Sequence, residues 1–436
     1  MQTFTKLFLL LALFTAASAQ AALPIQTWQS TTGAKVYFVE NHDLPILDVE
    51  VSFAAGSSSD SAEKAGLAGM THGLLDLGAG DLSEDQIANR LADIGAQTGG
   101  DFDMDRASIS LRTLSSERER AAALELMAAI VQKPDFPASV LEREKARSIA
   151  GLREAATQPE SIGEKAFAKA LFGSHPYVMH AEMEPETLEK ITRDDLVAFY
   201  HSHYTRNTAI VAIIGDVTRA QAEAIAVQLT ANLSEGASAE VIPPVPLPGA
   251  AVEKTIPHPA EQSHIFIGYP GMKRGDADYF PLYVGNYILG GGGFVAMLTE
   301  EVREKRGLAY SVYSYFMPMR EAGPFRIGLQ TKREQTDAAL GVVRETLNKF
   351  IQSGPTPAQL KAAKDNIIGG FPLRIDSNGK ILDYLSVIGF YGLPLTYLDD
   401  FNQKVNAVTT QQIKDAFARR VQPDKMVTVI VGGSAK

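Results

Sequence analysis

The chain contains no cysteine. Disulfide bracing, thiolate metal ligands and thiol nucleophiles are therefore excluded, and stability must come from a packed core, which 436 residues supply amply. An excess of basic charge is missing too. With 41 Lys and Arg against 51 Asp and Glu, the formal net charge is −10, which argues against nucleic acid as a partner because phosphate binding needs a basic face. No apolar run after residue 21 is long enough to span a bilayer, so no membrane span is expected in the mature chain. Residues 1–21 are a separate case. Lys6 precedes the apolar run from Leu7 to Phe14, and Ala17-Ser18-Ala19 and Ala19-Gln20-Ala21 offer small-x-small cleavage sites. This pattern predicts a secretory signal peptide, and hence export; a bacterial periplasm fits.

What is present is an ordinary globular balance, 45% hydrophobic and 21% charged. Residues 35–39 and 47–53 read as strands, and Ser108 to Leu114 alternates as another. Ser83-x-x-Gln86 and Ser116-x-x-Glu119 have the spacing of capping boxes and open helices. Further helices are expected from Pro137 to about Ala156, from Pro159 to Phe172, and from Ile191 with Thr192 as cap. A cluster of proline and glycine, Val241 to Ala251, marks residues 234–253 as a linker between a first half, 22–233, and a second, 254–436.

The second half repeats the first. At an offset of 217, Ile210 to Gly215 lies over Val427 to Gly432; at 218, Ile109, Leu111 and Thr113 lie over Ile327, Leu329 and Thr331. Two copies of one α+β domain follow, each with a mostly antiparallel sheet and helices packed on one face.

The stretch Leu289 to Tyr315 holds the candidate chemistry. Four consecutive glycines, Gly290, Gly291, Gly292 and Gly293, leave backbone open to close approach. Val295, Leu298 and Val302 then recur at helical spacing, Gly307 can stop the helix, and Leu308 to Phe316 reads as a strand. Arg303 and Tyr310 could face one spot beside the glycine loop, with Arg306 in place of Arg303 if the helix runs longer. Taken alone, the pattern fits equally a helix–strand corner with an exposed arginine.

The two like halves, Gly66-Leu67-Ala68 opening a helix, His175-Pro176-Tyr177, and the Arg303/Tyr310 pair together resemble the M16 peptidase family, the pitrilysin-, insulinase- and mitochondrial processing peptidase-like proteins. Active members carry His-x-x-Glu-His after Gly-Leu-Ala, two histidines gripping zinc and a glutamate activating its water. Here the histidine positions hold Gly69 and Gly73, and the glutamate position holds His72. The third ligand would fall in Lys145 to Arg153, which has no carboxylate; Glu144 and Glu154 flank it out of register. His72 and Asp76 share a helical face, but two ligands fall short of the three a catalytic zinc takes. His201 and His203 would not share a helical face, and His175 reads as a packing residue beside its proline.

The resemblance implies that no metal is held by this chain. It implies a non-catalytic subunit that supplies Arg303 and Tyr310, with Gly290–Gly293 meeting peptide, to a partner of the same family carrying an intact His-x-x-Glu-His and its zinc. The other readings are a structural or peptide-binding subunit with no catalytic share, and a self-sufficient peptidase with an unorthodox metal site.

Overall fold

The computed structural model describes residues 23–236 and 241–432. The expected signal peptide, 1–21, and residues 237–240 of the expected linker lie outside them.

The first half contributes strands β1 (Gln26–Gln29), β2 (Lys35–Glu40), β3 (Ile46–Phe53), β4 (Gly78–Ala79), β5 (Leu82–Ser83), β6 (Gln97–Gly99), β7 (Ala107–Leu114) and β8 (Ile210–Gly215). The second contributes β9 (Val252–Ile256), β10 (Gln262–Pro270), β11 (Ala309–Phe316), β12 (Pro324–Lys332) and β13 (Val427–Val431). One sheet runs β1-β2-β8-β3-β7-β6 and the other β11-β12-β10-β13-β9, while β4 and β5 pair by themselves. Read from its far edge, the second sheet is β9-β13-β10-β12-β11, which matches β2-β8-β3-β7-β6 strand for strand. In both, the last strand of the half makes one parallel pair (β8 with β2, β13 with β9), and the remaining matched pairs are antiparallel. The repeat read from the sequence is thus a repeat of topology, and the matched residues sit on β7 and β12, and on β8 and β13.

Each half's own helices cover one face of its sheet. The opposite face is covered by the other half. Along β8, Val211 and Ile213 point into the core that includes Leu124, Met127, Ile225 and Leu229, whereas Ala212 and Ile214 pack on Ile381, Leu382 and Leu385 of the second-half helix Asn378–Tyr391. The exchange is reciprocal: Phe266, Val427, Val429 and Val431 pack on Phe167 and Leu171 of the first-half helix Pro159–Phe172. Every residue of β8 is buried, as expected of a strand apolar on both sides. The helices approach closely because of glycine: a Cβ at Gly163 would stand 2.0 Å from Phe266, and one at Gly389 2.6 Å from Ile210.

Polar locks join the halves. The Asp105 carboxylate accepts from the Tyr177 hydroxyl (2.8 Å), the Tyr391 hydroxyl (3.0 Å) and the Arg320 amide (2.7 Å). Glu50 accepts from Ser52 of its own strand (2.8 Å) and from Ser386 of the second half.

The expected helices form, with differences at their ends. Ser83 and Gln86 make both hydrogen bonds of a capping box. Ser116 does not cap: its hydroxyl donates to the Glu119 carboxylate instead of accepting from the backbone. The helix expected from Val295 begins later. Gly293–Val295 is a single 3-10 turn that leaves Val295 72% exposed, while Leu298 and Val302 are fully buried.

Candidate functional site

Two places correspond between the halves. Each lies in the connection that follows the middle strand of the matched order, β3 in the first half and β10 in the second. In the first half this connection holds the helix Leu67–Gly73. Its N-terminus is held by Asp60, which accepts from the Gly66 amide (2.9 Å) and the Ala68 amide (2.7 Å). Burial pushes the Asp60 carboxyl up to about 6, against the pull of those two amides.

Gly69 and Gly73 open onto a cavity of about 290 Å³ whose wall includes Met70, Leu74, Phe102, Met183 and Leu188. Neither glycine is required sterically. A Cβ at Gly73 would meet nothing within 4 Å, and one at Gly69 would touch only Phe102, at 3.4 Å. His72 points elsewhere: its Nε2 lies 2.9 Å from the Ser108 carbonyl of β7, and its ring stacks on Phe102 with centroids 5.6 Å apart. That contact leaves Nδ1 free, but His72 and Asp76 belong to no group of three or more His, Cys, Asp or Glu that could hold a metal among the described residues. The Asp76 carboxyl is pushed up by burial.

One expectation is corrected. Glu144, placed out of register on the sequence, lines the same cavity as Gly69 and Gly73, together with Ser148 and His180. Its carboxylate pairs with Arg143 (2.8 Å) and Arg147 (3.7 Å). Register cannot be counted across separate helices and the turns between them, where a shift of a few positions is invisible. Even so, these residues do not fit a zinc ion. Both gripping positions lack side chains, and among the described residues no group of three or more His, Cys, Asp or Glu could hold a metal.

His175 and His203 are structural. His175 caps the turn Pro176–Val178 through Nδ1, which accepts from the Tyr177 amide (3.2 Å), and its Nε2 lies 2.7 Å from the Pro243 carbonyl. His203 Nδ1 meets the Phe199 carbonyl at 3.0 Å, and its ring stacks on Phe199. His201 lies against Tyr200 and is exposed.

In the second half, the helix Tyr279–Asn286 passes into a π turn, Tyr287–Gly291. A second π turn spans Thr299–Glu304, where the Lys305 amide reaches back to the Glu300 carbonyl at 3.0 Å. Such widened turns cluster at functional sites. Here glycine is needed. A Cβ at Gly290 would stand 2.4 Å from Ser314 Oγ and 2.7 Å from Ser314 N, and one at Gly292 2.6 Å from the Tyr287 carbonyl. Asn286 fixes the loop to β11: its side-chain nitrogen donates to the Ser314 carbonyl (3.0 Å), and its oxygen accepts from the Ser314 hydroxyl (2.7 Å). Sequence reasoning misses this pair, since neither residue belongs to a motif.

Beside the loop lies a cavity of about 640 Å³. Gly290, Gly291 and Gly293 line it, but Gly292 does not, because its backbone is turned against Tyr287. Arg303 lines it too, with its guanidinium carbon 4.9 Å from the Tyr310 ring centroid and 5.0 Å from that of Phe294. Arg303 Nε also lies 3.3 Å from Glu304. Tyr310 is 82% exposed and Phe294 73%. The structure therefore brings Arg303 and Tyr310 together. Arg306 is turned away and bonds the Glu301 carbonyl (2.8 Å) and carboxylate (2.6 Å). Phe294 is an addition that the sequence does not announce; a phenylalanine after a glycine run carries no signal of its own.

Comparison with known proteins gives the family and the fold. A family model described as insulinase (peptidase family M16) matches residues 35–183, and one described as the peptidase M16 inactive domain matches 190–367. A crystal structure of a peptidase M16 inactive domain from Pseudomonas fluorescens superposes with a TM-score of 0.91 at 38% identity, covering 95% of this chain and 98% of that one. A protease from Helicobacter pylori has the same fold, with a TM-score of 0.85 at 17% identity over 93% of this chain and 99% of that one. The non-peptidase homolog YmxG of Helicobacter pylori is 26% identical over 434 residues, 98% of each chain.

Proposed function

The chain belongs to the M16 peptidase family, and on that premise we propose that it is the non-catalytic subunit of a two-chain zinc peptidase. The observation that carries this reading is the contrast within one molecule: Gly69 and Gly73 leave the metal-gripping positions bare, whereas Arg303 and Tyr310 stand together beside a glycine loop. The partner is a catalytic M16 chain with an intact His-x-x-Glu-His, and its zinc would supply the activated water. This chain's residues bind and orient. β11 is an edge strand, so an extended peptide can add to its free side. The Arg303 fork and the Tyr310 hydroxyl are donors suited to a peptide carbonyl on which negative charge develops. The halves divide at 234–253, and after loss of residues 1–21 the chain would meet its partner in the exported compartment, a bacterial periplasm.

A second reading, a peptide-binding or structural subunit with no catalytic share, is favoured by one feature: Arg303 is already stacked on two rings and paired with Glu304. Mixing decides between them. The lone chain should show no peptidase activity, and adding a zinc-bearing M16 partner from the same source should produce activity that a chelator abolishes. Arg303→Ala should lower kcat of the mixture by about 100-fold, the range for loss of one charge-stabilising donor. Full activity with both Arg303→Ala and Tyr310→Phe would leave only the second reading.

A further inference from the structure

The cavity beside the glycine loop has a charge unlike that of the molecule around it. The chain is acidic overall, yet this wall contains Arg274 and Arg303 and no aspartate or glutamate. Arg303 has Glu304 beside it. Arg274 has no such carboxylate partner among the described residues. Its guanidinium lies 5.2 Å from the Tyr391 ring centroid, and its Nε is buried without a hydrogen-bond acceptor.

A second donor in the same wall is also unmatched. The Tyr283 hydroxyl is buried, and its proton has no acceptor among the described residues. Arg374 lies near this phenol, 5.9 Å from the ring centroid, but a guanidinium can only donate, so the phenolic proton still lacks an acceptor. Burial pushes the Tyr283 phenol up to about 12, which keeps that proton in place at neutral pH. Buried donors are nearly always paired in folded proteins; these two are occluded as the wall stands, so an acceptor from outside the chain meets them when their side chains turn toward the cavity.

The acceptor that suits a guanidinium and a phenol together, with no acid on the protein side, is a carboxylate, whose oxygens only accept. The remainder of the wall sets what is attached to it. Tyr279, Tyr313, Tyr315 and Phe316 are aromatic, and the wall includes residues of the edge strand β11. A small inorganic anion would leave these rings facing water. An extended peptide with an apolar residue beside its carboxylate would cover them.

We propose that this cavity binds a carboxylate carried by an extended apolar peptide, with Arg274 and Tyr283 as its donors and β11 as its backbone partner. The proposal rests on the peptide-binding reading of this site but needs no zinc partner. The carboxylate can come from the peptide's C-terminus or from an acidic side chain, and the test separates them.

The test uses the full mature chain and one fluorescein-labelled peptide of Ala, Leu and Phe in three forms: free acid, C-terminal amide, and amide with a glutamate inserted near the end. Binding is read by anisotropy. Whichever form carries the favoured carboxylate should bind about tenfold tighter than the plain amide, the scale of one charge-assisted contact. Preference for the free acid assigns the C-terminus, and preference for the glutamate form assigns a side chain. Arg274→Gln should erase the preference, and Tyr283→Phe, which removes only the hydroxyl, should shrink it about threefold. If Arg274→Gln fails to fold, judged by circular dichroism, Tyr283→Phe and the peptide series carry the test. Equal binding of all three forms, no binding of any, or a preference untouched by Tyr283→Phe overturns the proposal. A preference that persists while the mixing experiment fails would leave this site standing and remove only the catalytic reading.

Discussion

Glycine stands in corresponding connections of the two halves for opposite reasons. At Gly290 and Gly292 a side chain would collide with backbone of Ser314 and Tyr287, so glycine is what allows the loop to lie against β11. At Gly69 and Gly73 a side chain would find contact distance or empty space, in a helix of ordinary form that gains nothing from glycine. One set is required by the packing around it and the other is not. The second half's cavity presents arginines and exposed aromatics; the first half's presents methionine, leucine and phenylalanine beside Glu144, which neighbouring arginines already pair.

The sharpest way to break this contrast is to fill the bare positions. The triple substitution Gly69→His, His72→Glu, Gly73→His places two imidazoles on a helix face beside Glu144, the three ligands of a catalytic zinc site. We expect one equivalent of zinc bound at micromolar affinity or tighter, about −8 kcal/mol. Adding Glu144→Ala should release it. Metal analysis after dialysis against a weak chelator checks both, and an empty triple variant would mean that the helix no longer faces Glu144 in a usable way.

The corresponding helices also differ in how the acid ahead of each is held. Asp60 is raised to about 6 by burial, and the two backbone amides only partly oppose it. Asp278, ahead of Tyr279–Asn286, feels burial upward, but Arg419 and Arg420 outweigh it and hold its carboxyl below the usual range. The folded state therefore binds more protons than the unfolded chain at Asp60 between its ordinary value of 3.8 and about 6, and stability falls as pH rises through that window. Asp278 has the opposite sign: its contribution is present above the ordinary carboxylate range and is lost only in stronger acid. Urea unfolding at about pH 4 and about pH 7 should differ by up to about 3 kcal/mol on account of Asp60, because each tenfold change in proton affinity is worth about 1.4 kcal/mol. Asp60→Asn should lessen the slope over that interval without abolishing it, because burial also raises Asp383 to about 6, and an unchanged slope would remove the Asp60 account.

Much of this is legible in the sequence. The repeat is legible because buried strands such as Ile210–Gly215 and Val427–Val431 carry dense apolar runs that align at one offset. The bare zinc positions are legible only through the family resemblance, which lays His-x-x-Glu-His over Gly69, His72 and Gly73 after Gly66-Leu67-Ala68. The exchange of Pro159–Phe172 and Asn378–Tyr391 between halves is not, because a helix's apolar face does not say which sheet it will meet. The same limit hides Glu144, which reaches the cavity from a separate helix, and Arg274, whose significance lies in its unmatched donor. His175-Pro176-Tyr177 reads as a family mark; its work, the Tyr177 hydroxyl donating to Asp105 and accepting from the Glu321 amide of the second half, depends on contacts no local pattern encodes.

The smallest effects test the contrast most directly, because they compare one substitution at two places. Gly290→Ala should destabilise by about 1–3 kcal/mol, as overpacking against fixed backbone does, and should weaken peptide binding by displacing Ser314. Gly69→Ala should instead stabilise by about 0.5–1 kcal/mol, since alanine is the better helix former and Phe102 at 3.4 Å can accept the methyl. Thermal melts of the two variants side by side give the signs. If Gly69→Ala proved as damaging as Gly290→Ala, the first half's glycines would have a packing role of their own, and their presence could no longer be taken as the trace of a lost metal.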